Sequence, residues 1–283
     1  AGGTVNVAAG TYKENLQINK AVNLLGLQNT RTFDSVVIGE QAPNVWYVDR
    51  YAPAVFESFD FEGRKVLRHG VSASDVQSSS FYNYQGRKLD VNLTGPTITV
   101  SIDLFVGSDW GSKQRNAGFW ATGLDSSNAI SAYPIIAWRS GGTDVAGFYA
   151  FDYFYGGWDL LHAAEPEDYG KWHNLVFTYN VGEGVSYFID GDFKWSFSDS
   201  YTTQISNIIL NVYNFGENYD VYWDNLTNFT NEAKVTGLVN ISAANVVVDG
   251  FTLENPGQPT AVDINSTASN MTLKHNVIQN VGG

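Results

Sequence analysis

Short apolar pulses separated by polar corners open the chain. They occur at residues 5–7, 16–18 and 22–25, and the same rhythm returns in residues 239–255 and 261–280. Strands this short cannot bury a face alone, so each must stack on an equivalent strand roughly 20 to 25 residues away. The pattern therefore predicts layers of short parallel strands.

Two C-terminal stretches repeat each other. The sequence NVVVDGFTLEN, which starts at Asn245, aligns with NMTLKHNVIQN, which starts at Asn270, at a spacing of about 25 residues. Allowing for one bulge, the alignment places Val246, Val248, Phe251 and Leu253 over Met271, Leu273, Val277 and Ile278. Apolar residues repeated in this way predict strands that pair one layer apart.

The middle of the chain, residues 41–229, has a different pattern. Its apolar stretches are longer and alternate with polar residues, as in TITVSIDLFV at 97–106 and NLVFTYN at 174–180. Turns rich in Gly, Asp, Asn and Ser separate these stretches. Alternation with a period of two and frequent turns is typical of an antiparallel β-sandwich.

Two local patterns in this middle segment predict geometry. In YFIDGDFKW, Asp190 and Gly191 predict a two-residue hairpin turn, because Asp-Gly suits the left-handed backbone of such a turn. In FYAFDYFY, alternation assigns two faces: Phe148, Ala150, Asp152 and Phe154 on one, Tyr149, Phe151, Tyr153 and Tyr155 on the other. Because one face must be buried, at most about half of these rings can contact a ligand.

Two resemblances extend these patterns. The opening phrase GTVNVAAGTYKENLQINKAVNLLG, with ANVVVDGF at residues 244–251, resembles right-handed parallel β-helix proteins of the pectate-lyase-like superfamily. The phrase WHNLVFTYNVGEGVSYFIDGDFKWSF at 172–197, with YDVYWDNLT at 219–227, resembles concanavalin-A-like jelly rolls, especially laminin-G-like and glucanase-like modules. The resemblances imply a β-helix that carries an inserted lectin-like sandwich.

The predicted fold class is all-β, since helical spacing of apolar residues is nearly absent. We expect a right-handed parallel β-helix interrupted by an antiparallel β-sandwich of the jelly-roll type. The expected domains are residues 1–40 and 230–283 for the two parts of the β-helix and residues 41–229 for the sandwich.

Charge and composition exclude several classes of function. The 283 residues carry a formal net charge of −13, which repels phosphate backbones, so nucleic acid is not an expected partner. The chain contains no cysteine, which excludes disulfides and thiolate metal sites. It contains no apolar run long enough to span a bilayer, so no transmembrane segment is expected, and it starts at Ala1 as a mature chain or an excised piece would.

Six Asn-X-Ser/Thr sequons favour an extracellular or cell-surface glycoprotein. The candidate N-glycosylation sites are Asn92, Asn225, Asn228, Asn240, Asn265 and Asn270. A chain rich in Asn, Ser and Thr also produces sequons by chance, so this second interpretation stays open.

The tryptophans of the middle segment suggest sugar binding. A sugar ring presents a C–H face that stacks on Trp or Tyr, while Asp and Arg hydrogen-bond to its hydroxyls. The candidate carbohydrate-binding residues are Trp110, Trp120, Trp138, Arg139, Asp152, Tyr153, Tyr155 and Trp158. The alternative is that most of these rings belong to the core of the sandwich.

No catalytic residues are predicted. A jelly-roll glycosidase needs two facing carboxylates, and the nearest acidic cluster, at 165–168, contains a proline typical of a loop. No resident cofactor is expected. A structural calcium ion is compatible with the fold family, with Asp60, Asp152 and Asp224 as unranked ligands.

Two functions from different classes follow. The first is an extracellular structural or adhesive protein without enzymatic activity, a β-helix scaffold that displays a lectin-like sandwich. Its uncapped β-helix ends would pair with further copies into a filament or surface layer, or continue in a longer chain. The second is a carbohydrate-active enzyme, a polysaccharide lyase or glycoside hydrolase, or the carbohydrate-binding module of one.

Overall fold

The computed structural model describes residues 3–7, 10–26, 29–31, 33–153, 156–230, 233–274 and 276–282. The fold is all-β, as predicted. Its strands are β1 (Gly3–Val7), β2 (Gly10–Tyr12), β3 (Leu16–Ile18), β4 (Val22–Gly26), β5 (Asn29–Arg31), β6 (Tyr47–Val48), β7 (Val55–Phe61), β8 (Arg64–Val71), β9 (Tyr84–Thr94), β10 (Thr97–Val106), β11 (Arg115–Leu124), β12 (Ile130–Ala132), β13 (Ile135–Gly141), β14 (Asp144–Asp152), β15 (Gly157–Ala163), β16 (Lys171–Asn180), β17 (Gly184–Ile189), β18 (Asp192–Ser198), β19 (Gln204–Tyr213), β20 (Tyr219–Thr230), β21 (Ala233–Thr236), β22 (Val239–Ile241), β23 (Val247–Asp249), β24 (Phe251–Glu254), β25 (Val262–Ile264), β26 (Thr272–Lys274) and β27 (Val277–Gln279).

Helical structure in the described residues is limited to short 3-10 turns. They span Ala73–Asp75, Ser80–Asn83, Trp110–Ser112 and Pro166–Asp168. Within the same residues, no helix has the length and apolar character needed to cross a membrane.

Two large antiparallel sheets form the sandwich. Sheet A has the order β18-β17-β16-β10-β20-β8-β7, and β5 pairs with β20. Sheet B has the order β15-β14-β13-β11-β19-β9-β6, and β12 pairs with β11. The long alternating stretches of the sequence thus form antiparallel sheets, as their period of two predicts.

The core of the sandwich comes from alternate residues of both sheets. Phe119, Trp138 and Phe148 of sheet B are fully buried in one hydrophobic cluster with residues of sheet A such as Phe177 and Trp223. The predicted two faces of β14 are confirmed in the described part. Phe148 and Ala150 belong to this core, whereas Phe151 packs in a separate cluster on the other side of sheet B.

The predicted hairpin is also confirmed. Strands β17 and β18 pair antiparallel, and Asp190 and Gly191 between them have φ angles of 54° and 86°. The Asp190 carboxylate accepts hydrogen bonds from the His173 ring at 2.7 Å and from the Asn174 N–H at 2.8 Å. Its role is therefore to fix the turn and the neighbouring strand β16.

The short pulses at both ends of the chain form three small parallel sheets. Their orders are β1-β4-β23-β26, β2-β21-β24-β27 and β25-β22-β3. The repeat of about 25 residues is visible in the pairing, which sets Val248 opposite Leu273 and Leu253 opposite Ile278. Val248, Phe251 and Leu253 are buried in a cluster of their own.

The prediction of a right-handed parallel β-helix, with its pectate-lyase-like resemblance, is wrong. The large sheets of the chain are antiparallel, and the parallel strands form only short sheets of three or four strands. Short apolar pulses at a regular spacing specify that strands pair in parallel. They do not specify how successive layers are wound. The sequence pattern therefore predicts parallel pairing of the strands but not a β-helix.

The chain divides into two compact units. One contains residues 1–29, 95–97 and 229–283, and the other contains residues 30–94 and 98–228. We call the second of these the sandwich unit. The larger hydrophobic cluster lies in the sandwich unit and the cluster around Phe251 lies in the other.

Candidate functional site

The outer face of sheet B carries an apolar cluster separate from the core. Trp120 and Ile135 are opposite each other on β11 and β13, and Ile209 on β19 is opposite Trp120. These residues alternate with core residues along their strands, so their side chains point away from the sandwich interior. An outward apolar cluster marks a surface that something else can cover.

An aromatic hollow of about 250 Å³ lies over this cluster. It is lined by Arg50, Phe81, Tyr84, Trp120, Tyr133, Ile135, Phe151 and Trp158. Trp120 is only 7% exposed and forms the floor, while Phe81 is 54% exposed and Trp158 is half-buried, so these rings form the walls. The hollow therefore offers accessible ring faces around an apolar floor.

Ring contacts hold the hollow in shape. Trp158 packs edge to face on Phe151 with centroids 5.3 Å apart, and Tyr84 packs on Trp120 at 5.4 Å. The guanidinium of Arg50 lies 4.7 Å from the Trp120 ring and 4.8 Å from the Phe81 ring. Such cation–π contacts position the arginine over the floor.

A polar cleft of about 440 Å³ adjoins the hollow and shares Tyr84 with it. Its lining is Ser80, Tyr84, Gln114, Arg115, Asn116, Arg139, Ser140, Gly141, Gly142, Thr143, Asp144, Tyr213 and Phe215. The two arginines of the cleft are paired: Arg139 contacts Asp144 at 2.8 Å and Arg115 contacts Glu217 at 3.0 Å. The cleft is thus rich in hydrogen-bonding groups, with its positive charges compensated.

Several buried polar atoms on the strands that line the two cavities lack a hydrogen-bond partner within the described residues. They are Trp120 Nε1, Arg139 Nη1 and both amide atoms of Asn211. Asn211 is 1% exposed and lies in register with Gly118 and Gly86 on the neighbouring strands. Buried polar groups normally have partners, so these atoms are sites where a water or a ligand hydroxyl would be stabilised.

Gly118 decides where the floor ring lies. A Cβ atom at this position would stand 2.2 Å from Trp120 Nε1, so any larger residue would push the indole off the sheet. Gly118 therefore leaves the space that the Trp120 indole occupies at the floor of the hollow.

Burial raises the pKa of the Tyr84 phenol, and it likewise raises the pKa of Tyr133. A raised phenol pKa keeps the hydroxyl protonated at neutral pH. Both hydroxyls are consequently hydrogen-bond donors as well as acceptors at the site.

The structure brings only part of the predicted binding set together. Trp120 and Trp158 line the hollow, and Arg139 lines the cleft with its guanidinium 4.5 Å from the Trp158 ring. Tyr153 contacts the ring of Tyr133, a hollow residue, at 5.5 Å. Tyr155 lies outside the described residues.

Three other predicted binding residues are buried. Trp110 and Trp138 are 5% and 0% exposed and pack on each other in the core between the sheets. Asp152 is 5% exposed, on the same side of β14 as the core residues. These side chains cannot reach a sugar on the surface, so the prediction is corrected for them.

Sequence reasoning missed Arg50, Phe81, Tyr84 and Tyr133. Tyr84 begins β9, Phe81 lies in the 3-10 turn Ser80–Asn83, and Arg50 and Tyr133 lie outside the strands. Tyr84 lies on the same face of sheet B as the outward residues. No pattern in the sequence predicts that β9 and β11 belong to the same sheet. Only the tertiary arrangement brings these residues to Trp120.

A second group of rings lies on the outer face of sheet A. Phe61 stacks on Tyr222 at 4.2 Å, and Phe105 packs on Trp172 at 5.5 Å. Arg64 lies over the Trp172 ring at 4.4 Å and also binds Asp224. Trp172 lines neither the hollow nor the cleft, so it serves as a control residue for the hollow.

The described residues contain no cluster of three or more His, Asp or Glu side chains suited to a metal ion. The suggested calcium ligands have other partners: Asp60 pairs with Lys65 at 2.6 Å and Asp224 pairs with Arg64. Calcium binding remains an expectation from the sequence.

The sequons differ in accessibility. Asn92, Asn225, Asn265 and Asn270 are exposed and Asn240 is half-buried. Asn228 is 2% exposed, so its side chain cannot carry a glycan in the folded protein, and this candidate is corrected.

No protein-family model matches the chain, and no curated protein sequence matches it either. Several solved structures are weakly similar. A sialidase is 13% identical over 65% of this chain, with a TM-score of 0.44, and the chain spans 17% of that protein's length. An alginate lyase from a Chlorella virus is 13% identical over 65% of this chain and 93% of its own, with a TM-score of 0.45. A Bacillus licheniformis β-glucanase is 11% identical over 72% and 97% of the two chains, with a TM-score of 0.42.

All three names denote proteins that act on carbohydrate. Similarity this weak carries no functional conclusion for this chain, so the function has to follow from the site itself.

Proposed function

We propose that the sandwich unit binds carbohydrate on the outer face of sheet B. The observation that carries this proposal is the aromatic hollow, in which rings surround an apolar floor and polar groups stand at the margin. Sugar rings combine an apolar C–H face with equatorial hydroxyls, and this arrangement matches both. Trp158 supplies the accessible stacking ring, and Arg139 supplies donors beside it.

Binding is favoured over hydrolysis. Among the described residues that line the hollow and the cleft, Asp144 is the only carboxylate, and it is engaged by Arg139. A glycosidase of the common type needs two carboxylates across the scissile bond. The Tyr84 phenol at the hollow has a pKa raised by burial, so it stays protonated at neutral pH and is a poor general base there.

We further propose an extracellular or cell-surface location. Four exposed sequon asparagines support it, since accessible acceptors are what a glycosylated exterior requires. Recognition of external glycans by the sandwich unit fits the same location.

Glycan-array screening followed by calorimetric titration of the full chain tests the binding proposal. Trp158→Ala should weaken affinity for an array hit at least about tenfold, because the variant removes the stacking ring. Trp172→Ala, a half-buried tryptophan on sheet A, should leave affinity unchanged. Equal losses in both variants, or no glycan bound on a broad array, would refute the proposal.

A further inference from the structure

We infer that the hollow and the cleft form one groove for a neutral oligosaccharide of at least two sugar rings. This inference rests on the proposed carbohydrate binding and specifies the ligand class of the same site. Three observations support it. Ring contacts run without a gap from one cavity to the other, the two cavities together have a volume usual for a ligand site, and each arginine of the lining is paired with a carboxylate.

The aromatic surface runs without a break from one cavity into the other. Trp120 contacts Tyr84 at 5.4 Å, Tyr84 contacts Tyr213 at 4.8 Å, and Tyr213 contacts Phe215 at 4.7 Å. Trp120 lines the hollow, Phe215 lines the cleft, and Tyr84 lines both. The two cavities together therefore offer stacking positions for more than one sugar ring.

Arg139 joins the two cavities on their other side. Its guanidinium lies 4.5 Å from the Trp158 ring of the hollow, and the same side chain lines the cleft. Its Nη1 atom is buried and has no hydrogen-bond partner within the described residues. A hydroxyl at the junction of two sugar rings would satisfy this donor.

The sizes of the cavities agree with a shared ligand. The hollow measures about 250 Å³, below the ~300–1,000 Å³ usual for small-molecule sites, whereas the cleft measures about 440 Å³. The hollow alone is small for a tightly bound ligand. A ligand that occupies both cavities uses a volume within the usual range.

The charges of the groove favour a neutral ligand. Arg50, Arg115 and Arg139 line it, and each has a carboxylate partner: Asp49 at 2.9 Å, Glu217 at 3.0 Å and Asp144 at 2.8 Å respectively. An acidic sugar would have to compete with these carboxylates. It would also approach a chain of net charge −13, which repels polyanions.

The test is calorimetric titration of the full chain with neutral gluco-, manno-, galacto- and xylo-oligosaccharides of one, two and four units. Oligogalacturonates of the same lengths provide the acidic comparison. We expect affinity for the best neutral series to rise at least about tenfold from one unit to two or four. Acidic oligomers of equal length should bind at least about tenfold more weakly.

Variants separate the two cavities. Phe215→Ala should reduce the affinity for the tetramer at least about tenfold while leaving the monosaccharide affinity unchanged. Phe215→Leu keeps most of the packed volume but removes the ring, so it should give the same loss in a stably folded protein. Phe193→Ala, at a ring that is 58% exposed on β18, should have no effect.

The outcomes are distinguishable. Binding by no sugar of any length would refute the proposed function itself. A monosaccharide that binds as tightly as the tetramer, with both Phe215 variants at wild-type affinity, would overturn the shared groove and leave the hollow as the binding site. Tighter binding of oligogalacturonate than of every neutral series would overturn the neutral class.

Discussion

His69 is an ionisable residue held neutral in the sandwich. It is fully buried on β8, its Nε2 lies 3.0 Å from the Gln85 carbonyl oxygen, and the Phe56 ring packs against it at 5.2 Å. Burial lowers the pKa of His69 to about 3, with repulsion by Arg87 in the same direction. A protonated imidazolium in this position would have no compensating charge.

The depressed pKa makes stability depend on pH. In the unfolded chain His69 is protonated below about pH 6.5, whereas the folded chain keeps it neutral down to about pH 3. Neutral His69 therefore makes its full contribution to the free energy of unfolding above pH 6.5. This contribution decreases as the pH falls from 6.5 to about 3, by at most about 1.4 kcal/mol per pH unit. Urea denaturation at several pH values should show this slope in the wild type and a flatter one in His69→Gln. Gln can still donate to the Gln85 carbonyl oxygen but does not titrate, and identical slopes would contradict a buried neutral histidine.

Individual residues of the candidate site were hard to predict because sheet B carries apolar residues on both faces. In GFWATG, Phe119 faces the core and Trp120 faces the hollow, yet both are large rings with similar neighbours in sequence. Trp138 was expected at the surface and is fully buried. Alternation tells which residues share a face, but it cannot tell which of two apolar faces meets the other sheet.

At the scale of elements, the hairpin between β17 and β18 shows what local sequence can determine. Gly191 has φ of 86° and no atom within 4 Å of a hypothetical Cβ, so its requirement for glycine is one of backbone conformation alone. Gly157 on β15 also has open space around it, but its φ lies outside the left-handed region. The two glycines form a matched pair.

Alanine at these two positions should therefore have opposite effects. Gly191→Ala should lower the free energy of unfolding by about 1–2 kcal/mol, because an L-residue is strained at this φ. Gly157→Ala should be neutral or raise it by up to about 1 kcal/mol, because alanine reduces the entropy of the unfolded chain. Chemical denaturation of both variants measures the difference, and a Gly191→Ala protein as stable as Gly157→Ala would show that the turn is not held as described.

The parallel strands could be predicted as pairs but not as an architecture. The repeat of about 25 residues gave the correct partners for Val248 and Leu253, because their apolar pulses align. The way in which short sheets assemble depends on corner conformations that the pulses do not encode. The aromatic hollow depends in a similar way on where β9 and the segment around Arg50 lie, and no local signal carries that information.

At the scale of the whole molecule, the two compact units have separate hydrophobic cores. One centres on Phe251 and Leu253 among the short parallel strands, and the other lies between sheets A and B. All 8 tryptophans, from Trp46 to Trp223, belong to the sandwich unit. Tryptophan fluorescence therefore reports on the sandwich, whereas far-UV circular dichroism reports on strands of both units.

This difference allows the independence of the two cores to be tested. Leu253 is 1% exposed, and Leu253→Ala should cost about 2–5 kcal/mol through lost contacts and a cavity. Because a unit with its own core can unfold on its own, the variant should lower the melting temperature seen by circular dichroism and leave the fluorescence transition unchanged. Leu104→Ala, at a fully buried leucine of β10 in the sandwich core, should shift the fluorescence transition instead.

Glycan affinity at the hollow should survive Leu253→Ala, because the hollow's lining residues lie in the sandwich unit. A fluorescence transition that falls with Leu253→Ala would mean that the two cores unfold together.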